Sequence, residues 1–194
     1  DNDAGAGYPY ENAQWQIAGR CAKLMGYDTK ENADSLEVTF RFLVPTVPSF
    51  EYKVTYIAYF DGRLGVKAEY SGVKGLADIP VFAMDFKMKK QYDKFTFYGM
   101  GPDENYIDRN TSSYVGLYSG TVAEQYFPYD RPQENGNKTD VRWMSLTDNS
   151  GLGLMAIGEP YISTSAYMFP TEDLDEQGTR KSQRHISDIQ MKDM

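Results

Sequence analysis

The chain has 194 residues, with 20 Lys and Arg against 28 Asp and Glu, a formal net charge of −8. That balance argues against nucleic acid and anionic membrane as partners, since both are held by basic patches. A single cysteine, Cys21, excludes an internal disulfide and a cysteine-based metal cluster, and no apolar run is long enough to span a bilayer.

The length suits one domain, 1–194, and nothing in the composition marks a boundary inside it. Residues 1 to 14 are rich in Gly, Asp, Asn, Tyr and Pro and read as a loop. Trp15, Ile17 and Ala18 open a strand that runs through Cys21 to Met25, and residues 26 to 35 read as a polar turn. Leu36, Val38, Phe40, Phe42 and Val44 alternate with Glu37, Thr39 and Arg41, the pattern of a half-buried strand, which ends near Pro45 and Pro48. Tyr52, Val54, Tyr56, Ala58 and Phe60 form a second alternating set, Asp61-Gly62 supplies a tight turn, and Leu64, Val66, Ala68 and Tyr70 return on the same face.

Past a loop from Gly72 to Pro80, Val81 to Met88 reads as a strand with Phe82, Met84, Phe86 and Met88 on one face. Phe95, Phe97 and Tyr98 form a short strand. From Tyr98 to Trp143 the chain is punctuated by Gly, Pro, Asn and acidic residues and reads as two rigid loops, in which Gly99 and Gly101 permit backbone that a Cβ would forbid and Pro102 fixes φ. Val141 to Leu146, Leu152 to Ile157 and Tyr161 to Met168 are three further strands, separated at Asp148–Gly151 and at Gly158-Glu159-Pro160. Helical character is confined to short pieces such as Thr171 to Glu176. The class is all-β and antiparallel, and strand patterning alone leaves sandwich and barrel open.

Glu104 and Glu134 are the sharpest candidates for chemistry, because a retaining glycosidase needs two carboxyls about 5–5.5 Å apart across a sugar pocket. The competing reading, which we favour, is that each glutamate braces its own loop through backbone N–H groups or an arginine such as Arg109 or Arg142. A mutarotase-like acid–base pair would join His185 to Glu104 or Glu134. Asp1, Asn2 and Asp3 offer oxygen ligands without the spacing of a calcium loop, so a turn cluster is the simpler reading and no metal is assigned.

The motif G-M-G-P-x-E-N-Y-x-D-R over Gly99–Arg109, then Y-x-P-Y-x-x-P-Q-E-N-G-N over Tyr126–Asn137 and D-V-R-W over Asp140–Trp143, resembles the C-terminal small-chain domain of the large bacterial β-galactosidases of glycoside hydrolase family 2. The opening Asp1-Asn2-Asp3-Ala4-Gly5, with Trp15 beyond it, resembles the start of that domain. The resemblance implies a large antiparallel β-supersandwich like that of galactose mutarotase. It implies a parent enzyme that hydrolyses terminal non-reducing β-D-galactose residues with retention. Both catalytic glutamates would lie in a preceding (β/α)₈ barrel of the same polypeptide, and this chain would be non-catalytic, completing the active-site wall and the assembly.

The segment at Asp1, Asn2, Asp3, Gly5 and Gly7 would then border the substrate. Gly101, Glu104, Asn105, Asp108, Arg109, Glu134, Asn135 and Arg142 would be structural or subsite residues of the signature loops. No cofactor is expected in this chain; the parent's Mg and Na ions would bind outside it. The parent would act on galactosides and assemble as a homo-oligomer, in the cytoplasm or periplasm of a bacterium. The family's domain continues past the position of Met194 to a loop whose tryptophan stacks on the sugar, a role that neither Trp15 nor Trp143 matches, so the chain reads as a fragment truncated at both ends. An autonomous carbohydrate-binding module, with a concave face of exposed Tyr or Trp, and a mutarotase-like enzyme are the alternatives.

Overall fold

The computed structural model describes residues 7–129 and 133–174. Contacts divide the chain into two compact units between Asp85 and Phe86, and each is built on a four-stranded antiparallel sheet. The all-β, antiparallel class read from the sequence is therefore the class observed. Among the described residues no helix is long and apolar enough to cross a membrane.

The first unit opens with two single-turn helices, α1 (Tyr8–Glu11) and α2 (Trp15–Ala18). Its sheet is a meander of β1 (Lys23–Glu31), β2 (Ser35–Val44), β3 (Phe50–Tyr59) and β4 (Leu64–Glu69), paired in chain order. The register sets Phe40 opposite Val54, Phe42 opposite Tyr52, and Tyr56 between Val38 and Val66. Because side chains alternate along a strand, one face becomes aromatic and aliphatic. The other carries Thr39 and Thr55, whose hydroxyls bond at 2.9 Å, and an ion pair between Arg41 and Asp28. At the β3–β4 turn Gly62 takes φ 93° and Asp61 accepts the Arg63 N–H at 3.1 Å, the hairpin expected at Asp61-Gly62.

The second unit contains β5 (Lys94–Gly101), β6 (Tyr114–Thr121), β7 (Lys138–Thr147) and β8 (Gly153–Thr164), in the order β6-β5-β7-β8. Phe95 and Phe97, stacked at 5.3 Å, point inward with Val141, Met144 and Leu146 and close on Val122 and Ala166 to form the core. Burying a side chain of this size contributes about 1.5–3 kcal/mol, so this cluster is the main source of stability for the unit. Short 3₁₀ turns follow at Ala123–Gln125 and Thr171–Leu174, the second within the helical stretch expected there.

Several local expectations are corrected. Residues 15–18 form α2 rather than a strand, and the strand starts at Lys23 and crosses the supposed turn as far as Glu31. β1 is an edge strand with mostly exposed side chains, so it lacks the apolar alternation that marks a strand in sequence. Residues 81–88 alternate as expected but form no strand, because they pair with no backbone among the described residues. β6 lies within the stretch read as loop; its inward positions include Gly116 and Gly120, which carry no apolar signal.

β8 is continuous through Gly158-Glu159-Pro160. Its register jumps from Trp143↔Ile157 to Val141↔Ile162, so the supposed break is a bulge inside one strand. Gly99 and Gly101 are ordinary strand residues needed for space rather than for φ. A Cβ on Gly99 would lie 2.8 Å from the Val141 Cα, and one on Gly101 would lie 2.8 Å from the Tyr118 ring.

Candidate functional site

β5 ends at Gly101 and the chain turns through Pro102 and Asp103 to deliver Glu104 and Asn105 against the segment that enters β7. Asn105 is wholly buried. Its amide nitrogen donates to the carbonyls of Met100 at 2.9 Å and Asp103 at 3.0 Å. Its amide oxygen accepts from Thr139, through N–H at 2.9 Å and Oγ1 at 2.6 Å. Its main chain is tied to Asn137 in both directions, N–H to carbonyl and carbonyl from Nδ2, each at 2.8 Å. Every polar group of this buried asparagine is thus used to join the first signature loop to β7.

Asn135 does the same for the second loop. Its Nδ2 donates to Gln133 O at 3.0 Å, its Oδ1 accepts the Phe127 N–H at 3.1 Å, and its carbonyl accepts the Tyr167 hydroxyl at 2.7 Å. Gly136 takes φ 70°, and a Cβ there would come within 2.5 Å of Gln125 O, so only glycine fits.

Glu104 joins the two loops. Its side chain is 8% exposed. One oxygen accepts from Arg109 Nη2 at 3.0 Å and from the Tyr129 hydroxyl; the other accepts the Gly136 N–H at 2.6 Å. Arg109 lies 4.5 Å over the Tyr106 ring and donates to Tyr129 at 2.7 Å. Burial by itself would raise the Glu104 pKa, but the bonds from Tyr129, Gly136 and Arg109, with the arginine's charge, outweigh it and hold the carboxyl below its ordinary value. Burial also pushes the Tyr106 phenol up, with the charge of Glu134 and Glu104 adding to it, and pulls the Lys138 ammonium down, where Glu104 and Asp103 partly oppose it. A carboxylate that is ionised and saturated with donors suits bracing; a general acid at neutral pH needs the opposite shift.

The other expected residues are dispersed. Glu134 and Asp108 are exposed. Arg142 takes no part in the Glu104 cluster; it donates to Asp140 O at 2.7 Å and lies 4.3 Å over the Tyr161 ring. Gly7, at φ 86°, begins α1 in the left-handed region. Asp1, Asn2, Asp3, Gly5 and His185 lie outside the described residues. Among the described residues no group of three or more His, Cys, Asp or Glu is placed to hold a metal ion. Sequence reasoning missed Tyr129, Thr139, Tyr167 and the buried Lys138, whose Nζ donates to Gly136 O at 3.1 Å. Tyr129 falls inside the Y-x-P-Y motif and was legible there, whereas a lysine reads as solvated surface until the fold buries it.

A second feature belongs to the first unit. The apolar face of its sheet, together with α2 and residues 79–84, lines an open groove of about 900 Å³. Trp15, Phe50, Tyr52, Tyr56, Tyr70 and Phe82 form its aromatic lining, and Asn12 and Gln16 line it too. Trp15 meets Phe50 edge-on at 5.7 Å and donates through its indole nitrogen to Ala77 O at 3.2 Å, which fixes the ring.

The signature loops of this all-β chain are thus tied together by buried asparagines and one glutamate. Comparison with known proteins supplies the family. The β-galactosidase small chain family model matches residues 1–193, and the chain belongs to that family. It is 34% identical to a β-galactosidase of Streptococcus thermophilus over 195 residues, covering all of this chain and 18% of the relative. It is 37% identical to a β-galactosidase of Lactobacillus delbrueckii subsp. bulgaricus over 151 residues, 78% of this chain and 15% of the relative. A β-galactosidase small subunit of Latilactobacillus sakei is 25% identical over 207 residues, 90% of this chain and 64% of the relative. The chain thus spans less than a fifth of the first two relatives.

Proposed function

We propose that this chain is a non-catalytic domain of a family 2 β-galactosidase, one whose parent removes terminal β-D-galactose residues from galactosides with acid and nucleophile supplied by a (β/α)₈ barrel elsewhere in the polypeptide. Its role is to complete the wall of the active site and to hold the assembly together. The observation that carries this reading is the state of Glu104. The one largely buried carboxylate among the described residues of the signature loops spends both oxygens on Arg109, Tyr129 and Gly136, leaving none aimed at a substrate. Its depressed pKa supports a brace over an acid.

The test is kinetic. The chain alone is expected to leave a nitrophenyl β-D-galactoside unhydrolysed, and Glu134→Gln in the full-length enzyme is expected to keep kcat within a few-fold. A general acid or base contributes about 10²–10⁴-fold, so a loss of that size, or turnover by the isolated chain, overturns the proposal.

A second reading has one observation in its favour, the aromatic groove of the first unit. Aromatic faces beside amide side chains suit the apolar and hydroxyl faces of a sugar. Under this reading the chain binds carbohydrate by itself. Saturable amide shifts at Trp15, Gln16 and Tyr70 on titration with galactose or lactose support it, and no shifts up to tens of millimolar remove it.

A further inference from the structure

The outward face of the second sheet carries an apolar row that crosses all four strands. The pairings Leu117↔Tyr98, Tyr98↔Trp143 and Trp143↔Ile157 put these side chains side by side on the face opposite Phe95 and Phe97. Ile157 is 70% exposed, Leu117 65% and Tyr98 40%. The next row along is polar at Ser119, Thr96 and Ser145 and apolar again at Met155 on β8.

At this band sits Arg142. Its guanidinium carbon lies 4.3 Å from the centre of the Tyr161 ring and 5.6 Å from that of the Tyr98 ring. Two backbone irregularities hold it there. The β8 bulge carries Tyr161 under it, and Asp140, at φ 50° the only described non-glycine residue with positive φ, turns its carbonyl to accept from Arg142 Nη1 at 2.7 Å. A non-glycine residue in that region is strained and persists where surrounding structure imposes it. Among the described residues no carboxylate forms an ion pair with Arg142. The result is a positioned cation, with one nitrogen on a carbonyl and its remaining donors without a carboxylate, beside Trp, Tyr, Leu and Ile side chains. Arg, Trp and Tyr are the residue types enriched at the energetic centre of protein interfaces.

We propose that this face is the surface on which the chain docks against the remainder of its β-galactosidase, and that the partner presents a carboxylate to Arg142 from within an apolar surface. The occupant follows from charge complementarity, since an arginine stacked on tyrosine offers a planar fork to a carboxylate. It follows also from the lengths of the relatives, more than four-fifths of which lie outside the match. This inference rests on the reading of the chain as a β-galactosidase domain and specifies which face makes the contact.

The experiment places a photo-crosslinking amino acid at Leu117, at Ile157 and, as a control, at the exposed Val47 in the full-length enzyme, with the crosslinked peptides identified by mass spectrometry. Leu117 and Ile157 are expected to capture one peptide outside this chain that contains Asp or Glu, and Val47 is not. Arg142→Glu is expected to lower the yield of the Leu117 and Ile157 crosslinks by at least about tenfold, Arg142→Lys by less, and a Lys in place of the captured acidic residue is expected to restore the yield in Arg142→Glu. Leu117→Lys, on an edge strand, tests the same face should Arg142→Glu fail to fold. Crosslinks to the same peptide of a second copy, protection by galactose, or an unchanged crosslink yield in both variants overturns the proposal. If deleting the chain leaves activity and assembly intact, the functional reading itself fails, an outcome separate from correct assembly through another face.

Discussion

Replacing Glu104 by Gln keeps the shape of the side chain and removes its charge and one acceptor. Three donors converge on the two carboxylate oxygens, so in either orientation the new amide nitrogen faces a donor and at least one bond is lost. A hydrogen bond to a charged group contributes about 1.5–3 kcal/mol, and an orphaned buried donor costs about 1–3 kcal/mol, terms that overlap here. Arg109 is half exposed, and water recovers most of its share, leaving about 1 kcal/mol or less from the ion pair itself. The expected cost is about 3 kcal/mol.

With a urea m-value of about 2 kcal/mol/M, that cost lowers the unfolding midpoint by about 1.5 M. Trp15 and Trp143 lie in different units, so a Trp15→Phe background lets Trp143 fluorescence report the affected unit alone. The pH dependence supplies a second check. The folded-state carboxyl is held below its ordinary 4.5, so its stabilisation is fully present above that value and is lost as pH falls through the lower folded value. The difference between wild type and Glu104→Gln is therefore flat near neutrality and shrinks below about pH 4.5. Midpoints agreeing at neutral pH, or a difference that persists unchanged into strong acid, would refute the bracing role.

Three further substitutions probe the same architecture. Gly136→Ala forces a Cβ to 2.5 Å from Gln125 O at φ 70°, and a loss of about 2–4 kcal/mol is expected by thermal or urea unfolding. Asn105→Ala removes four side-chain hydrogen bonds at a fully buried position and is expected to cost about 3–5 kcal/mol, with Thr139 losing amide-exchange protection first. Lys138→Met removes an ammonium whose pKa burial has lowered, and is expected to be nearly neutral or stabilising at pH 7. Because the folded-state pKa lies below the unfolded 10.5, wild type gains on this variant as pH rises through that window, which parallel urea titrations at pH 7 and pH 10 measure.

Legibility in the sequence followed burial of one face. β2, β3 and β4 were readable because one face of their sheet is apolar and the other charged, and period-two alternation records that contrast directly. β1 has no such contrast and β6 alternates with glycines, so each needed its hydrogen-bonded neighbour to be seen as a strand. The opposite failure at residues 81–88 has the same cause: the alternation is there, but no strand among the described residues pairs with it.

By itself the amino-acid order determined the class, the hairpin at Asp61-Gly62 and the family, since local alternation, turn chemistry and three spaced motifs are properties of the chain. It also marked Glu104, Asn105, Arg109 and Asn135 as belonging together in two rigid loops. Only the tertiary structure decided what each does. Glu104 was divided from Glu134 by the converging donors of Arg109, Tyr129 and Gly136, which come from both signature loops. Arg142 was taken from bracing a glutamate to lying on Tyr161 by a bulge in a strand that the sequence showed as two. Ionisation, burial and hydrogen-bond saturation depend on neighbours distant in sequence, and those neighbours exist only once the strands have paired.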